Sequence, residues 1–229
     1  MNPKKIFDIS ALDSQKLMYC DNMHKMNVLL SGIRSLDDFM GGGLPYGCLV
    51  EFGVPVTHGG RLFLLPFLAQ ATRTKQLILW INGHDDLNVC PLTLYANGID
   101  PEFILFADST KPFEDMRCAF LSPLFKIIVI DVSSRAITQG ESAFLSQRAR
   151  LQGQIVILLR DTNLTAEKGN AFAKIRMNIG WSLNQNGFLM RFLRGGAGQQ
   201  ERLMGLQELE PVLESMTETV PGQEHVYLS

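Results

Sequence analysis

Five short runs of apolar residues divide the chain between residue 48 and residue 159 into alternating apolar and more polar stretches. Each run has the length of a strand and is apolar at most of its positions without a strict alternation, which is typical of parallel strands buried on both faces. Helical spacing fills several of the stretches between them. The pattern therefore predicts an α/β fold with a mostly parallel central sheet flanked by helices. The runs cover residues 48–52, 76–81, 103–107, 126–131 and 154–159, and the clearest helical stretches cover residues 91–97 and 138–151.

The segments on either side of the first run carry strong local signals. Residues 36–40 place apolar side chains at helical spacing, and three glycines at 41–43 end that helix. Residues 53–61 read GVPVTHGGR, which predicts a turn, and residues 61–72 predict a second helix. Because Pro66 lies within this helix, it either kinks the helix or belongs to its first turn.

The pattern changes beyond Gly169. Residues 175–183, IRMNIGWSL, and residues 187–193, GFLMRFL, are strand-like segments joined by the short polar sequence NQN. A connection of this kind is typical of a β-hairpin. The sequence therefore predicts a C-terminal antiparallel hairpin added to the parallel sheet.

The two ends of the chain differ from its middle. Residues 1–30 form a polar, methionine-rich N-terminal extension with a short helix predicted around residues 10–19, and residues 31–196 form the core domain. Residues 197–229 form an acidic tail, in which apolar residues recur at helical spacing and Pro211 interrupts the pattern. We predict an amphipathic element that binds a partner protein or packs on the core. Its apolar residues are Leu203, Leu206, Leu209, Leu213 and Met216.

Composition narrows the functional classes. Hydrophobic residues make up 46% of the chain and charged residues 19%, as in an ordinary globular protein. The apolar runs are far shorter than the ~20 residues of a membrane-spanning helix, and no apolar core of a signal peptide follows the N-terminal lysines. The four cysteines are scattered, and no histidine lies at metal-ligand spacing from any of them. We therefore expect a cytoplasmic protein with reduced thiols and no metal site.

Charge is distributed unevenly along the chain. Residues 145–195 contain eight basic and two acidic residues, whereas residues 200–229 contain six glutamates and one arginine. A basic block attracts phosphates or an acidic partner, and the alternative is a solvated surface or pairing with the acidic tail. The candidate contacts to single-stranded DNA, expected to be weak and sensitive to salt, are Arg160, Lys168, Lys174 and Arg176.

The first apolar run, the glycine-rich turn and the helix after it have the order of a phosphate-binding loop. Such a loop supplies backbone N–H groups, a lysine for the β- and γ-phosphates and a Ser/Thr hydroxyl for Mg²⁺. When Gly59 is aligned with the last glycine of the loop, Gly60 stands at the lysine position and Arg61 at the Ser/Thr position. Residues 26–74 contain no lysine, and Thr57 carries the only hydroxyl of the loop.

Asp131 ends the run KIIVID, the position where a Walker B carboxylate holds Mg²⁺ through water. The alternative is that Asp131 caps the following turn. The candidates for an acid that activates water are His84, Asp85 and Asp86. Because both the lysine and the hydroxyl are missing, we predict no ATP hydrolysis, no catalytic residue and no required cofactor. Weak binding of ATP or ADP stays open.

Three of these segments resemble the RecA superfamily. SGIRSLDDFMGGGLPYGCLVEF (31–52) is similar to the RecA opening that leads into the phosphate-binding strand, and KIIVIDVSS (126–134) is similar to its Walker B strand. EKGNAFAKIRMNI (167–179) resembles the exit of its second DNA-binding loop. The similarity runs from about residue 31 to residue 195 and implies a RecA-like fold.

The order of further motifs resembles the ImuA branch of this superfamily, also described as SulA-like or RecA-like. LTLYANGID (92–100) is similar to the middle segment of that family, and RARLQGQIVILLR (148–160) is similar to its arginine-leucine helix and following strand. AFAKIRMNI (171–179) then leads to LMRFLRGG (189–196), which resembles the family's basic terminal strand. The altered phosphate-binding loop also fits, because members of the family vary there.

The ImuA resemblance implies a non-catalytic accessory subunit of error-prone translesion DNA synthesis in the bacterial SOS response. The implied partners are an ImuB-like relative of the Y-family polymerases and an error-prone C-family DNA polymerase. Two other functions stay open at this point. One is an active RecA-like, DNA-dependent ATPase, and the other is a SulA-type inhibitor of cell division that binds a tubulin-like polymer.

Overall fold

The computed structural model describes residues 28–83, 89–132, 137–166, 169–196, 198–205 and 208. The strands are β1 (Val28–Leu29), β2 (Leu44–Pro45), β3 (Cys48–Gly53), β4 (Ile78–Asn82), β5 (Ile104–Asp108), β6 (Ile127–Val132), β7 (Ile155–Arg160), β8 (Ile175–Ser182), β9 (Gly187–Arg194) and β10 (Glu201–Gly205). The α-helices are α1 (Arg34–Phe39), α2 (Leu65–Arg73), α3 (Pro91–Ala96), α4 (Pro112–Asp115), α5 (Arg117–Leu121) and α6 (Gln139–Gln152). Short 3₁₀ helices cover Val56–His58, Gly60–Leu64 and Pro101–Phe103.

Strands β3 to β10 form one mixed sheet in the order β10-β9-β8-β3-β7-β6-β4-β5. The six strands from β8 to β5 in that order pair in parallel, whereas β9 and β10 are antiparallel to their neighbours. This confirms the predicted fold class, including the antiparallel hairpin, which β8 and β9 form. All five apolar runs became strands of this sheet, within two residues of the predicted bounds.

Buried side chains form one apolar layer on each face of the sheet. Leu36 of α1 and Phe67 of α2 belong to the first layer, and Phe120 of α5 and Leu145 of α6 belong to the second. Full burial of one such side chain stabilises the fold by about 1.5–3 kcal/mol. The sheet is therefore covered on both faces near its centre, as its mostly apolar strands require. We call these faces the α2 face and the α6 face.

Local signals explain how two of the helices begin and end. Pro66 lies in the first turn of α2, where its missing N–H group costs nothing. Helix α6 begins with a capping box, because the Thr138 hydroxyl accepts a bond from the Glu141 backbone and the Glu141 carboxylate accepts one from Thr138. Gly153 ends α6 in the left-handed conformation.

The predicted boundary of the core at residue 196 was wrong, because the sheet continues to residue 205. Leu203 was expected to open a helical stripe, but it lies in β10, the edge strand that pairs with β9. Here Met204 is buried and Leu203 is 39% exposed, so the segment alternates with the period of a strand. Hydrogen bonding along the free edge of β9 thus outweighs the helical spacing. The remaining predicted tail residues, Leu206, Leu209, Leu213 and Met216, and the helix predicted near residues 10–19 lie outside the described residues.

Two findings concern the described part of the chain alone. None of its helices is long and apolar enough to cross a bilayer. Within the same residues, no group of three or more His, Cys, Asp or Glu side chains is placed to hold a metal ion.

Candidate functional site

The loop after β3 is packed tightly against the sheet. It runs through two short 3₁₀ helices, and Gly59 between them has a φ of 62°, the left-handed conformation that favours glycine. Gly60 is buried, and a Cβ atom there would overlap the backbone carbonyl oxygen of Ile179 and approach Val54 Cγ1 to 3.0 Å. The position that aligns with the lysine of a phosphate-binding loop therefore has no room for a side chain.

Arg61 and Asp131 form a bidentate ion pair at the start of this loop helix. Arg61 Nε donates to Asp131 Oδ2 at 2.8 Å, and Arg61 Nη2 donates to Asp131 Oδ1 at 2.9 Å. A third bond runs from Arg61 Nη1 to the Val54 carbonyl oxygen at 2.7 Å. The side chain of Asp131 is 2% exposed and that of Arg61 is 16% exposed, so the pair is largely shielded from water. Two parallel bonds in such a place fix the loop to the end of β6.

A second carboxylate contacts the loop backbone from the neighbouring strand. Asp161, directly after β7, accepts a bond from the Val56 N–H group at 2.6 Å. Thr57 and His58 are exposed. A carboxylate thus occupies one backbone donor of the segment that would contact phosphates in a working loop.

Within the described residues, this geometry holds the loop after β3 against the end of β6. A Walker B carboxylate holds Mg²⁺, whereas the Asp131 carboxylate holds the guanidinium of Arg61. Arg61 stands at the Ser/Thr position of the loop, and its guanidinium donates to Asp131 and to the Val54 carbonyl oxygen. The alternative that Asp131 caps a following turn stays open, because residues 133–136 after β6 lie outside the described residues.

The sequence is similar to RecA proteins, and the structure is similar to the RadB recombinase. RecA from Arthrospira platensis is 26% identical over 161 residues, and RecA from Trichodesmium erythraeum (strain IMS101) is 25% identical over 161 residues. Each match covers 69% of this chain and 41% of the relative, so the chain spans less than half the length of these proteins. The crystal structure of the RadB recombinase superposes with a TM-score of 0.61 at 15% identity, over 79% of this chain and 97% of that one. No protein-family profile matches the sequence.

The fold is RecA-like. The sequence similarity to RecA supports a place in the RecA superfamily at this coarser level, as the order of the motifs predicted. The finer resemblance to the ImuA branch stays a prediction.

The α6 face of this RecA-like sheet carries a buried charge cluster that the sequence reasoning missed. Glu51 of β3 pairs with Arg176 of β8, with Arg176 Nε donating to Glu51 Oε2 at 2.9 Å. Their side chains are 9% and 3% exposed. Arg160 at the end of β7 lies beside them, and desolvation lowers the pKa of its guanidinium while the charge of Glu51 opposes that shift. A glutamate in the middle of the apolar run CLVEF was the available signal, because a buried carboxylate needs a cation.

Three of the four predicted DNA contacts lie among the described residues, and their surroundings differ. Arg176 is 3% exposed and ion-paired, so the prediction of a phosphate contact there is wrong. Lys174 is exposed and directly precedes β8, near the Cys48 thiol. Burial raises the pKa of that thiol to about 11, although the Lys174 charge acts in the opposite direction. Lys168 lies outside the described residues. Arg160 belongs to the charge cluster, and its buried Nη1 atom has no hydrogen-bond partner among the described residues.

Proposed function

We propose that this chain is a non-catalytic RecA-like accessory subunit of an error-prone translesion DNA synthesis complex in the bacterial DNA-damage response. The ion pair between Arg61 and Asp131 is the observation that carries the non-catalytic part. The RecA-like fold and the sequence similarity to RecA support the setting in DNA damage. The order of the ImuA-like motifs supports the accessory role.

Hydrolysis of ATP would require this site to stabilise charge that develops on the γ-phosphate. Electrostatic stabilisation by lysine and Mg²⁺ is the main catalytic contribution in such sites. Here residue 60 supplies no charge, and Asp131 already binds a guanidinium through two bonds. Binding of Mg²⁺ at Asp131 would first have to break that pair, and the lysine would still be missing.

We expect no ATP turnover above background, with or without single-stranded DNA. A steady-state phosphate-release assay with a catalytically active RecA in parallel measures this. Asp131→Asn is the diagnostic variant, because it should lower the melting temperature while the release rate stays at background. ATP turnover that the Asp131→Asn substitution abolishes would overturn the non-catalytic proposal in favour of an active DNA-dependent ATPase.

The partner-binding role is assigned to the tail beyond the sheet. Leu209 and Leu213 belong to the apolar stripe of the sequence, and the sheet ends before them at residue 205. We expect the double variant Leu209→Asp/Leu213→Asp to keep the melting temperature of the wild type and to lose binding of the ImuB-like protein. Replacing two apolar anchors by charges removes most of the affinity of a helix in a groove.

The matched control is Leu183→Asp, because Leu183 is 87% exposed in the turn between β8 and β9. This variant should bind the ImuB-like protein as the wild type does. Co-purification from cells that express this chain and the ImuB-like protein, both tagged, measures binding by the wild type, the double variant and Leu183→Asp. Sedimentation with a tubulin-like polymer instead of the ImuB-like protein would favour the SulA-type alternative.

A further inference from the structure

A small polar pocket opens on the α6 face, on the opposite side of the sheet from the Arg61–Asp131 pair. It has a volume of about 190 Å³. The sheet contributes Glu51 and Arg160 to its wall, and the first turns of α6 contribute Gln139 and Ser142. The segment before β8 closes the remaining side with Asn170 and Phe172. This volume is enough for the end of one side chain, such as a carboxylate. It is too small for an oligomer such as a nucleic acid strand.

Arg160 is the cation in this wall, and the Glu51 carboxylate compensates its charge only in part. Its Nη1 atom is buried and makes no hydrogen bond to any part of the described chain. Desolvation lowers the pKa of this guanidinium, because burial in the pocket disfavours its charged form. Buried donors of charged groups are normally satisfied, so an unsatisfied one indicates a missing acceptor.

The other charges of the pocket do not supply that acceptor. Glu51 directs Oε2 to Arg176 Nε at 2.9 Å, and Arg176 Nη1 donates to the Thr165 carbonyl oxygen at 3.1 Å. Because Arg176 neutralises Glu51, the three charges together leave one net positive charge beside the pocket. An anion entering the pocket would therefore be attracted by the cluster.

Neutral donors complete the wall around this charge. The Asn170 side chain uses its Oδ1 atom to accept from Phe172 N at 3.1 Å, which leaves its amide N–H₂ group as a donor. The Ser142 side chain is 4% exposed, so its hydroxyl is held within the wall. Gln139 adds a second amide. A guanidinium, a hydroxyl and amide groups around a small volume are the partners of an oxyanion.

We propose that this pocket binds one carboxylate group of an acidic peptide segment, with Arg160 as the main contact. A nucleic acid strand is the less favoured ligand, because it needs cations repeated along its backbone. Arg176 is buried in its ion pair, and Lys174 lies toward the other end of the strands, near Cys48. Arg194 donates through Nη1 to the carbonyl oxygens of Asn170 and Ala171, so it holds the pocket segment in place.

The carboxylate has two possible sources with the same chemistry. One is another protein, and the other is the tail of this chain, which carries four glutamates between residues 209 and 229. The proposal does not depend on the translesion role, since any acidic segment satisfies the pocket. A failed interaction with the ImuB-like protein would leave it standing.

Fluorescence anisotropy with fluorescein-labelled hexaglutamate tests the pocket, and labelled hexaglutamine is the neutral control probe. We expect the full-length chain to bind hexaglutamate in preference to hexaglutamine. Arg160→Gln should weaken binding about tenfold or more, as loss of a charge-assisted bond does. The matched control Lys174→Gln removes an exposed positive charge outside the pocket and should change the affinity by less than about twofold.

Two results would overturn the proposal. Equal affinity of the wild type and Arg160→Gln for hexaglutamate overturns the proposal, provided that both have the same melting temperature. Tighter binding of labelled oligo(dT) than of hexaglutamate, lost in Arg160→Gln, also overturns it and assigns the pocket to nucleic acid. Replacing Glu210, Glu214, Glu218 and Glu224 by glutamine in the full chain distinguishes the sources. Stronger hexaglutamate binding in that variant identifies the tail as the occupant, and unchanged binding identifies another protein.

Discussion

Glu51→Gln should lower the free energy of unfolding by about 3–5 kcal/mol, the usual effect of removing one partner from a buried ion pair. Its carboxylate pairs with Arg176, whose side chain is 3% exposed, and Arg160 lies beside both. The substitution removes the carboxylate that acts on both Arg160 and Arg176, and arginine does not lose its proton to relieve the remaining positive charge. For a chain of this size the melting temperature should fall by roughly 6–20 °C in a thermal-unfolding experiment.

Variants of Arg176 and Arg160 test whether the destabilisation by Glu51→Gln is caused by charge. Arg176→Met leaves Glu51 beside Arg160, so it should destabilise the fold less than Glu51→Gln does. The double variant Glu51→Gln/Arg160→Gln removes one of the two remaining cations and should recover part of the lost stability. If the double variant is no more stable than Glu51→Gln, repulsion between the guanidinium groups is not the cause.

Arg61→Ala should destabilise the protein by about 3 kcal/mol, the lower end of the range for a buried pair, because Arg61 is partly exposed. The variant takes away the guanidinium that holds both oxygens of Asp131, whose side chain is 2% exposed. It also removes the bond to the Val54 carbonyl oxygen, so the loop after β3 loses its tie to β6. Chemical unfolding with urea measures the change, and it should appear as a lower midpoint with an unchanged slope.

Arg61→Lys separates charge from geometry in this pair. A lysine keeps the positive charge but cannot make two parallel bonds to a carboxylate. It should therefore recover only part of the stability that Arg61→Ala loses. Full recovery would mean that charge alone holds the loop. Equal stability of Arg61→Ala and the wild type would show that the pair contributes nothing.

The sequence predicted the fold well because the strands are buried on both faces. Continuous runs such as the one at residues 126–131 have few alternative structures in a chain of this length. The hairpin of β8 and β9 followed from a polar turn between two apolar segments. The edge strand β10 was missed because its short sequence, ERLMG, also fits the start of a helix. Pairing with the neighbouring strand β9 decides the structure of such a short segment, and local propensity does not reveal that pairing.

The candidate site was predicted less well, since its residues act through contacts between strands. The order of the motifs along the sequence identified Gly60, Arg61 and Asp131 as positions of the phosphate-binding site. The sequence does not show that the Arg61 side chain pairs with Asp131. The link between Asp161 and Val56 joins residues 105 positions apart. Single-sequence reasoning finds which residue types are present, whereas the parallel register of β3, β6 and β7 determines which of them meet.

The close approach of Gly60 to the Ile179 carbonyl oxygen couples residue 60 to the position of strand β8. Any side chain at residue 60 has first to displace β8, and a new lysine there would meet an Asp131 that Arg61 already holds. A route to a phosphate-binding loop therefore passes through a change in the strand and a replacement of the arginine, and each of these changes alone weakens the fold. A single substitution at residue 60 is therefore not enough to build a lysine-containing phosphate-binding loop here, because β8 and Arg61 would have to change together with it.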